Sequence, residues 1–245
     1  MTPATPRCVV VIPARLESTR FPGKILASET GKPLIQHVYE QAMLASGVDE
    51  VIIAAADQAI VDAAHSFGAA ACLTDPHHPN GTSRIAEAIS ASPAEIVVNV
   101  QGDEPEIDPA AIDAVIDALG RDPEAPMASI AAPFASGDEI ATQTIVKVAV
   151  TADRRARAFS RMPIPEVDGD LPGPLKHLGL YAYRTPFLQE YLAMEPTPAE
   201  IQERLEQLRV LDHGIPIAMA VIESAHTGID TPQEYAAFVA RYRSS

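Results

Sequence analysis

Short, uninterrupted apolar runs alternating with helix-period stretches constrain this chain more than any other feature. Val9–Ile12, Val51–Ala55, Ala70–Leu73 and Ile96–Val100 lack the polar alternation of a strand with one wet face. Runs of this kind suit parallel strands covered on both faces. Between them, Pro33 opens a helix to about Ser46, with Leu34, Val38 and Ala42 on one face and Gly47 as its stop. Asp57 is placed to cap a second helix, which Gly68 ends, and Glu87 and Ile89 belong to a third. The rhythm predicts an α/β fold with a doubly wound, mostly parallel sheet and ligands outside the carboxyl ends of its strands. The polar loop from Gln101 leads to a helix started by Asp108 and Pro109, with Ile112, Val115, Ile116 and Leu119 as its apolar face. Further strands are expected at Met127–Ala131, Ile145–Val150, Leu178–Tyr183 and Ile217–Ile222, and the stretch Pro163–Pro174 reads as an ordered or lid-like loop.

The chain has 245 residues, 47% of them hydrophobic, enough for one domain that includes a smaller region within about 130–215. A formal net charge of −15 argues against nucleic acid and anionic membrane surfaces as partners. Its distribution is uneven. Residues 1–32 carry five basic side chains against two acidic ones, whereas residues 33–146 carry only Arg84 and Arg121 against eighteen acids. A small positive island in an acidic protein suits a small anionic ligand. Cys8 and Cys72 lie in strand-like runs and read as reduced core thiols. The N-terminus has no apolar export segment and no run of about 18 apolar residues exists, so a soluble, cytoplasmic protein is expected.

The island sits on one loop, Ile12-Pro-Ala-Arg-Leu-Glu-Ser-Thr-Arg-Phe-Pro-Gly-Lys24, directly after the first strand. No three glycines form G-x-G-x-x-G, and no Gly-Lys pair has the earlier glycine of a P-loop, so dinucleotide oxidoreductase and P-loop ATPase are disfavoured. Arg15, Arg20 and Lys24 instead form another kind of phosphate device, able to neutralise a triphosphate and its leaving pyrophosphate. Asp103, after the fourth strand, lies near that loop if the two strands are neighbours, and a carboxylate there suits Mg²⁺ shared with substrate phosphates. Asp230 before Thr231-Pro232 reads equally as a second carboxylate ligand or as a helix cap. Glu104, Glu106 and Asp108 read as loop and cap acids. His177, taken alone, reads as a structural hydrogen-bonding histidine, and His77-His78 as part of a turn. No His/Cys spacing indicates zinc.

Taken together, Ile12–Lys24, Gly81–Arg84, Val98–Pro105, Val146–Val148, Phe159–Pro165, His177–Arg184, Leu205–Leu211 and Thr227–Pro232 resemble the 3-deoxy-manno-octulosonate (Kdo) cytidylyltransferases, the CMP-Kdo synthetases. That resemblance implies a Rossmann-like nucleotidyltransferase core with a smaller lobe that helps form a homodimer. It implies transfer of CMP from CTP to the anomeric hydroxyl of Kdo, with release of pyrophosphate, for lipopolysaccharide synthesis. By position, it assigns the CTP phosphates to Arg15 and Lys24 with Arg20 in support. It gives the nucleoside border to Gln101, Asn80, Gly81 and Thr82, with Arg84 close by. Mg²⁺ falls to Asp103 and Asp230, and the sugar pocket to Arg161, His177, Tyr181, Glu206 and Gln207.

The chain departs from the family pattern at Ala56, before Asp57, and at His77 and Pro79 in the nucleoside loop. On the sugar side it departs at Glu166, Lys176 and Asp212-His213. Extra carboxylates at Glu166 and Asp212 make an amino-substituted Kdo an alternative acceptor. A CMP-sialic acid synthetase is the nearest rival, disfavoured by Leu16-Glu-Ser-Thr-Arg20. A non-catalytic sugar-nucleotide-binding protein is disfavoured by the presence of Lys24, Asp103 and Asp230.

Overall fold

The computed structural model describes residues 8–134, 140–165, 173–223 and 228–244. The chain divides into two compact units, Met1–Ile112 with His226–Ser245, and Asp113–Ala225.

The first unit is built from four parallel strands, β1 (Cys8–Ala14), β2 (Glu50–Ala55), β3 (Ala70–Leu73) and β4 (Ile96–Asn99). Their order is β3-β2-β1-β4: Val11 pairs with Ile52 on one side and with Asn99 on the other. The chain therefore lays down β2 and β3 to one side of β1, then returns to place β4 on the other. That reversal opens a crevice outside the carboxyl ends of β1 and β4. Val9, Val10, Val11 and Ile12 are fully buried, as their unbroken apolar run requires. The edge strand β3 is only partly covered, so Cys72 is half-buried where a core thiol was expected; Cys8 is buried, and neither is in a disulfide.

Helix α1 (Leu34–Ala42) begins after Pro33 and ends four residues short of Ser46. Helix α2 (Gln58–Ser66) closes on Gly68, whose φ of 82° only glycine adopts without strain. Helix α3 (Gly81–Ala88) follows Asn80, whose side-chain oxygen accepts from Ser83 N at 2.9 Å. Helix α4 (Pro109–Arg121) is capped by Asp108, which accepts from Ala110 N at 2.9 Å, and the division between units falls within it.

In the second unit, β5 (Met127–Ala132) lies between β8 (Leu175–Arg184), antiparallel to it, and β9 (Ile217–Val221), parallel to it. β6 (Lys147–Val150) pairs antiparallel with β8 and with β7 (Ala156–Ser160), a strand the clustered Arg154, Arg155 and Arg157 conceal in the sequence. Helices α5 (Thr185–Ala193), α6 (Pro198–Glu203) and α7 (Gln207–Asp212) complete it. Most of Pro163–Pro174, including Glu166, lies outside the described residues. Helix α8 (Pro232–Ser244) returns to the first unit, where Tyr235, Phe238 and Val239 bury against Leu34 and Ile229, with Phe21 packed on the cluster.

Candidate active site

The crevice beyond β1 and β4 is a cavity of about 1020 Å³, large enough for a nucleotide triphosphate. Arg15, Arg20, Lys24, Asn80, Gly81, Arg84, Gln101, Asp103 and Asp230 all line it. Thr82 does not; it is buried within α3. The cavity is thus lined by every residue expected around CTP and its metal except that one.

The loop from Arg15 to Lys24 is held at its base. Gly23 N donates to Leu16 O at 3.1 Å, and Leu16 N donates to the Asp57 carboxylate at 2.9 Å. Asp57 stands at the start of α2 as expected, but its carboxylate makes no cap bond there and ties down the loop instead. Gly102 lets β4 approach β1: a methyl at that position would lie 3.1 Å from Pro13 O and 3.2 Å from Ile35 Cδ1.

Asp103 and Asp230 converge on one ammonium. Lys24 Nζ donates to Asp103 Oδ2 at 2.6 Å, to Ile229 O at 2.7 Å and to Asp230 Oδ1 at 3.1 Å, while Arg20 Nη2 reaches Asp230 Oδ2 at 2.8 Å. Asp230 is not the helix cap. Thr231 accepts from Glu234 N at 3.2 Å, and the Glu234 carboxylate accepts from Asp230 N and Thr231 N at 2.8 Å, forming the reciprocal box that starts α8. Ile229 N donates to Asp103 O at 2.8 Å, joining the two acidic segments through the main chain.

These residues fit a hard divalent cation. Two carboxylates already share a cationic partner, and they are oxygen donors of the type Mg²⁺ takes alongside water and phosphate. Among the described residues no group of three or more His, Cys, Asp or Glu side chains is placed to hold a metal ion.

Arg84 is buried, donating to Thr74 Oγ1 at 2.5 Å and Asp75 O at 3.1 Å. Burial lowers its pKa, and the nearby Arg15 guanidinium lowers it further. Two cations brought within range of each other favour an anion between them. Asn80, expected at the nucleoside, also serves as the α3 cap, which fixes the edge of the cavity.

In the second unit, the hydroxyl of Tyr181 donates to Gln207 Oε1 at 3.3 Å, and the ring of His177 lies 5.6 Å from that of Tyr181. Among the described residues the buried Gln207 Nε2 has no hydrogen-bond partner, a cost that a ligand hydroxyl would remove. His177 is buried, and burial pushes its pKa down to about 3. Its Nε2 lies 2.9 Å from Ser129 Oγ, which is also 2.9 Å from Leu180 O. A carbonyl only accepts, so the serine proton goes to Leu180 and His177 donates from Nε2. Its role in the free chain is that of a neutral, structural histidine.

Arg161 Nε donates to Glu203 O at 2.9 Å, and the Glu203 carboxylate accepts from Arg161 N at 2.9 Å. Glu206 stands at the start of α7, immediately before Gln207. Sequence reading missed Lys147 here, as one polar letter in an apolar run. Its side chain is fully buried and donates to Thr142 O, Ile145 O and Arg161 O at 2.6–2.9 Å, fixing the main chain that carries Arg161. Asp212, suggested for an amino-sugar, is exposed and accepts from Thr197 Oγ1 at 2.5 Å at the far end of α7 from Gln207. It gives that alternative no support.

A sequence profile of the Cytidylyltransferase family matches residues 9–217. The chain belongs to the cytidylyltransferase family. It is 45% identical over 239 residues to a 3-deoxy-manno-octulosonate cytidylyltransferase of Syntrophobacter fumaroxidans, covering 95% of this chain and 96% of that one. It is 47% identical over 237 residues to the enzyme of the same name from Vibrio cholerae serotype O1, covering 92% and 93%. A solved CMP:2-keto-3-deoxy-manno-octonic acid synthetase complexed with CTP matches this cytidylyltransferase with a TM-score of 0.91 and 38% identity, over 97% of this chain and 99% of the other. A nucleotidyl transferase from Methanothermobacter, at 15% identity and a TM-score of 0.62, shares the fold. Among the described residues no helix is long and apolar enough to cross a membrane.

Proposed function

We infer that this cytidylyltransferase moves CMP from CTP onto the anomeric hydroxyl of Kdo. One observation carries the reading: a single crevice at the ends of β1 and β4 gathers Arg15, Arg20, Lys24 and Arg84 beside the Asp103–Asp230 pair. Close relatives named for this activity support it.

In the reaction, the anomeric oxygen forms a bond to the α-phosphorus as the bond from that phosphorus to the α–β bridging oxygen breaks. Pyrophosphate leaves and the hydroxyl proton is released. Arg15, Arg20 and Lys24 would hold the triphosphate and neutralise the pyrophosphate as it departs. Gln101, Asn80 and Gly81 would border the nucleoside. Asp103 and Asp230 would hold Mg²⁺, which when bound polarises phosphate oxygens and lowers the pKa of the attacking hydroxyl. In the second unit, Gln207 Nε2, Tyr181 and Glu206 would receive the sugar hydroxyls, Arg161 its carboxylate, and His177 would support the ring of Tyr181. The reading extends to a homodimeric, cytoplasmic enzyme feeding lipopolysaccharide synthesis; this part rests on the family resemblance, and analytical ultracentrifugation tests the dimer.

The deciding measurement is pyrophosphate release from CTP and Mg²⁺ with Kdo, 8-amino-Kdo or sialic acid as acceptor. Kdo is expected to give the highest kcat/KM. Silence with both octulosonates would defeat the assignment, and a preference for sialic acid would redirect it.

A further inference from the structure

We propose that Lys24 is an internal counter-ion that closes the Asp103–Asp230 pair until CTP arrives, so that the divalent cation enters with the triphosphate and not before it. The inference rests on the reading of those two carboxylates as the metal pair.

An ammonium has three donors. Those of Lys24 meet three acceptors, Asp103 Oδ2, Ile229 O and Asp230 Oδ1, all within 3.1 Å. The side chain is buried, with a residue exposure of 8%, so a lost bond is not replaced cheaply by water. Nothing on Lys24 is left to offer a phosphate. Holding a phosphate and holding both carboxylates are therefore mutually exclusive, and the same atom must exchange one set of partners for the other.

Arg20 completes the lock by taking the other oxygen of Asp230 at 2.8 Å. Two cations and two carboxylates make the cluster neutral as it stands. A hydrated divalent ion arriving alone would have to compete with both cations for the carboxylates and leave a buried ammonium with the Ile229 carbonyl as its one remaining acceptor of the three. A triphosphate removes that obstacle, because its oxygens accept from Lys24 and Arg20 as the carboxylates are released. Metal and CTP then bind with positive coupling, and by linkage the coupling is reciprocal.

Mn²⁺ serves as the probe, its free form counted by electron paramagnetic resonance in the absence of CTP. K24M and, as a polar replacement of similar length, K24Q are expected to bind Mn²⁺ at least about tenfold more tightly than the wild type, within the range of ordinary coupling energies. Adding D103N to K24M is expected to abolish that gain. Affinity in both Lys24 variants within twofold of wild type would overturn the counter-ion. A gain that survives D103N would instead overturn Asp103 as a metal ligand, so the two failures are distinct. A measurement on the unmodified protein covers variants that do not fold. With ¹⁵N-lysine labelling, a slowly exchanging Lys24 ammonium signal is expected without ligand and lost when CTP and Mg²⁺ are added together. A fast-exchanging ammonium in the ligand-free protein would also overturn the proposal.

Discussion

At the scale of single residues, the site depends on side chains released from more ordinary duties. Asp230 is available because Thr231 and Glu234 start α8 between themselves. Asp103→Asn tests the pair most directly. It keeps the size of the side chain but would weaken the grip on Mg²⁺ proposed for it, so turnover is expected to fall about 10²-fold or more while circular dichroism and the melting temperature stay close to wild type. Near-normal kcat would remove Asp103 from the chemistry. Gly102→Ala tests the approach that places Asp103: the added methyl would press on Pro13 O at 3.1 Å. A loss of about 1–3 kcal/mol in urea unfolding is expected, with a lower kcat/KM for CTP, because that carbonyl belongs to β1 and has no rotamer with which to retreat. Asp103 and the three loop cations were legible in the sequence as residue types following a strand, whereas Asp230 read equally as a ligand or a helix cap. The partners of Asp57 were not, because its bond to Leu16 spans 41 residues and no local pattern encodes it. Lys147 escaped notice for a different reason: its acceptors are main-chain carbonyls, which any residue can supply.

At the scale of elements, legibility followed length and regularity. The parallel strands of the first unit announce themselves as unbroken apolar runs, and β1 through β4 fall where those runs lie, although the edge strand β3 is only partly covered. α6 and α7 have six residues each, too few to display a helical period, and they are specified by a buried ion pair instead. Arg209 grips Glu200 through two bonds of 2.7 Å, donates to Met194 O at 3.1 Å and lies 4.7 Å from the centre of the Tyr191 ring. Glu200 in turn belongs to the box that Thr197 makes at the start of α6. The pair therefore sets the position of α7, and with it Glu206 and Gln207. Arg209→Met leaves the Glu200 carboxylate buried without its partner and is expected to cost about 3–5 kcal/mol in urea unfolding. Adding Glu200→Leu is expected to restore part of that loss, since two apolar side chains no longer strand a charge. If the double variant is no more stable than Arg209→Met, the pair is not what fixes α7. In whichever variant folds, KM for the sugar should rise more than KM for CTP, because on the proposed reading Glu206 and Gln207 of the displaced segment serve the sugar and not CTP.

At the scale of the whole molecule, the acidic excess and the buried imidazoles pull stability in opposite directions as pH falls. Protonating carboxylates relieves the self-repulsion of a chain with net charge −15, but that begins only near the ordinary carboxylate range. Between pH 7 and 5 the side chain that titrates in an unfolded chain is histidine. His177 is held neutral by burial, its pKa lowered to about 3, and His37 is lowered in the same direction, also chiefly by burial. A group whose folded pKa lies below its unfolded value binds more protons when unfolded. Its contribution is complete above about pH 6.5 and is lost progressively as pH falls from there toward 3. Urea midpoints are therefore expected to drop between pH 7 and pH 5, with little change between pH 7 and pH 8. His177→Gln removes the titrating group and keeps a side chain able to donate to Ser129 Oγ. The variant should be less stable at pH 7 yet show a shallower decline toward pH 5. An unchanged slope would mean that His177 is not buried neutral in solution, and that the contact with Ser129 does not hold it in place beside Tyr181.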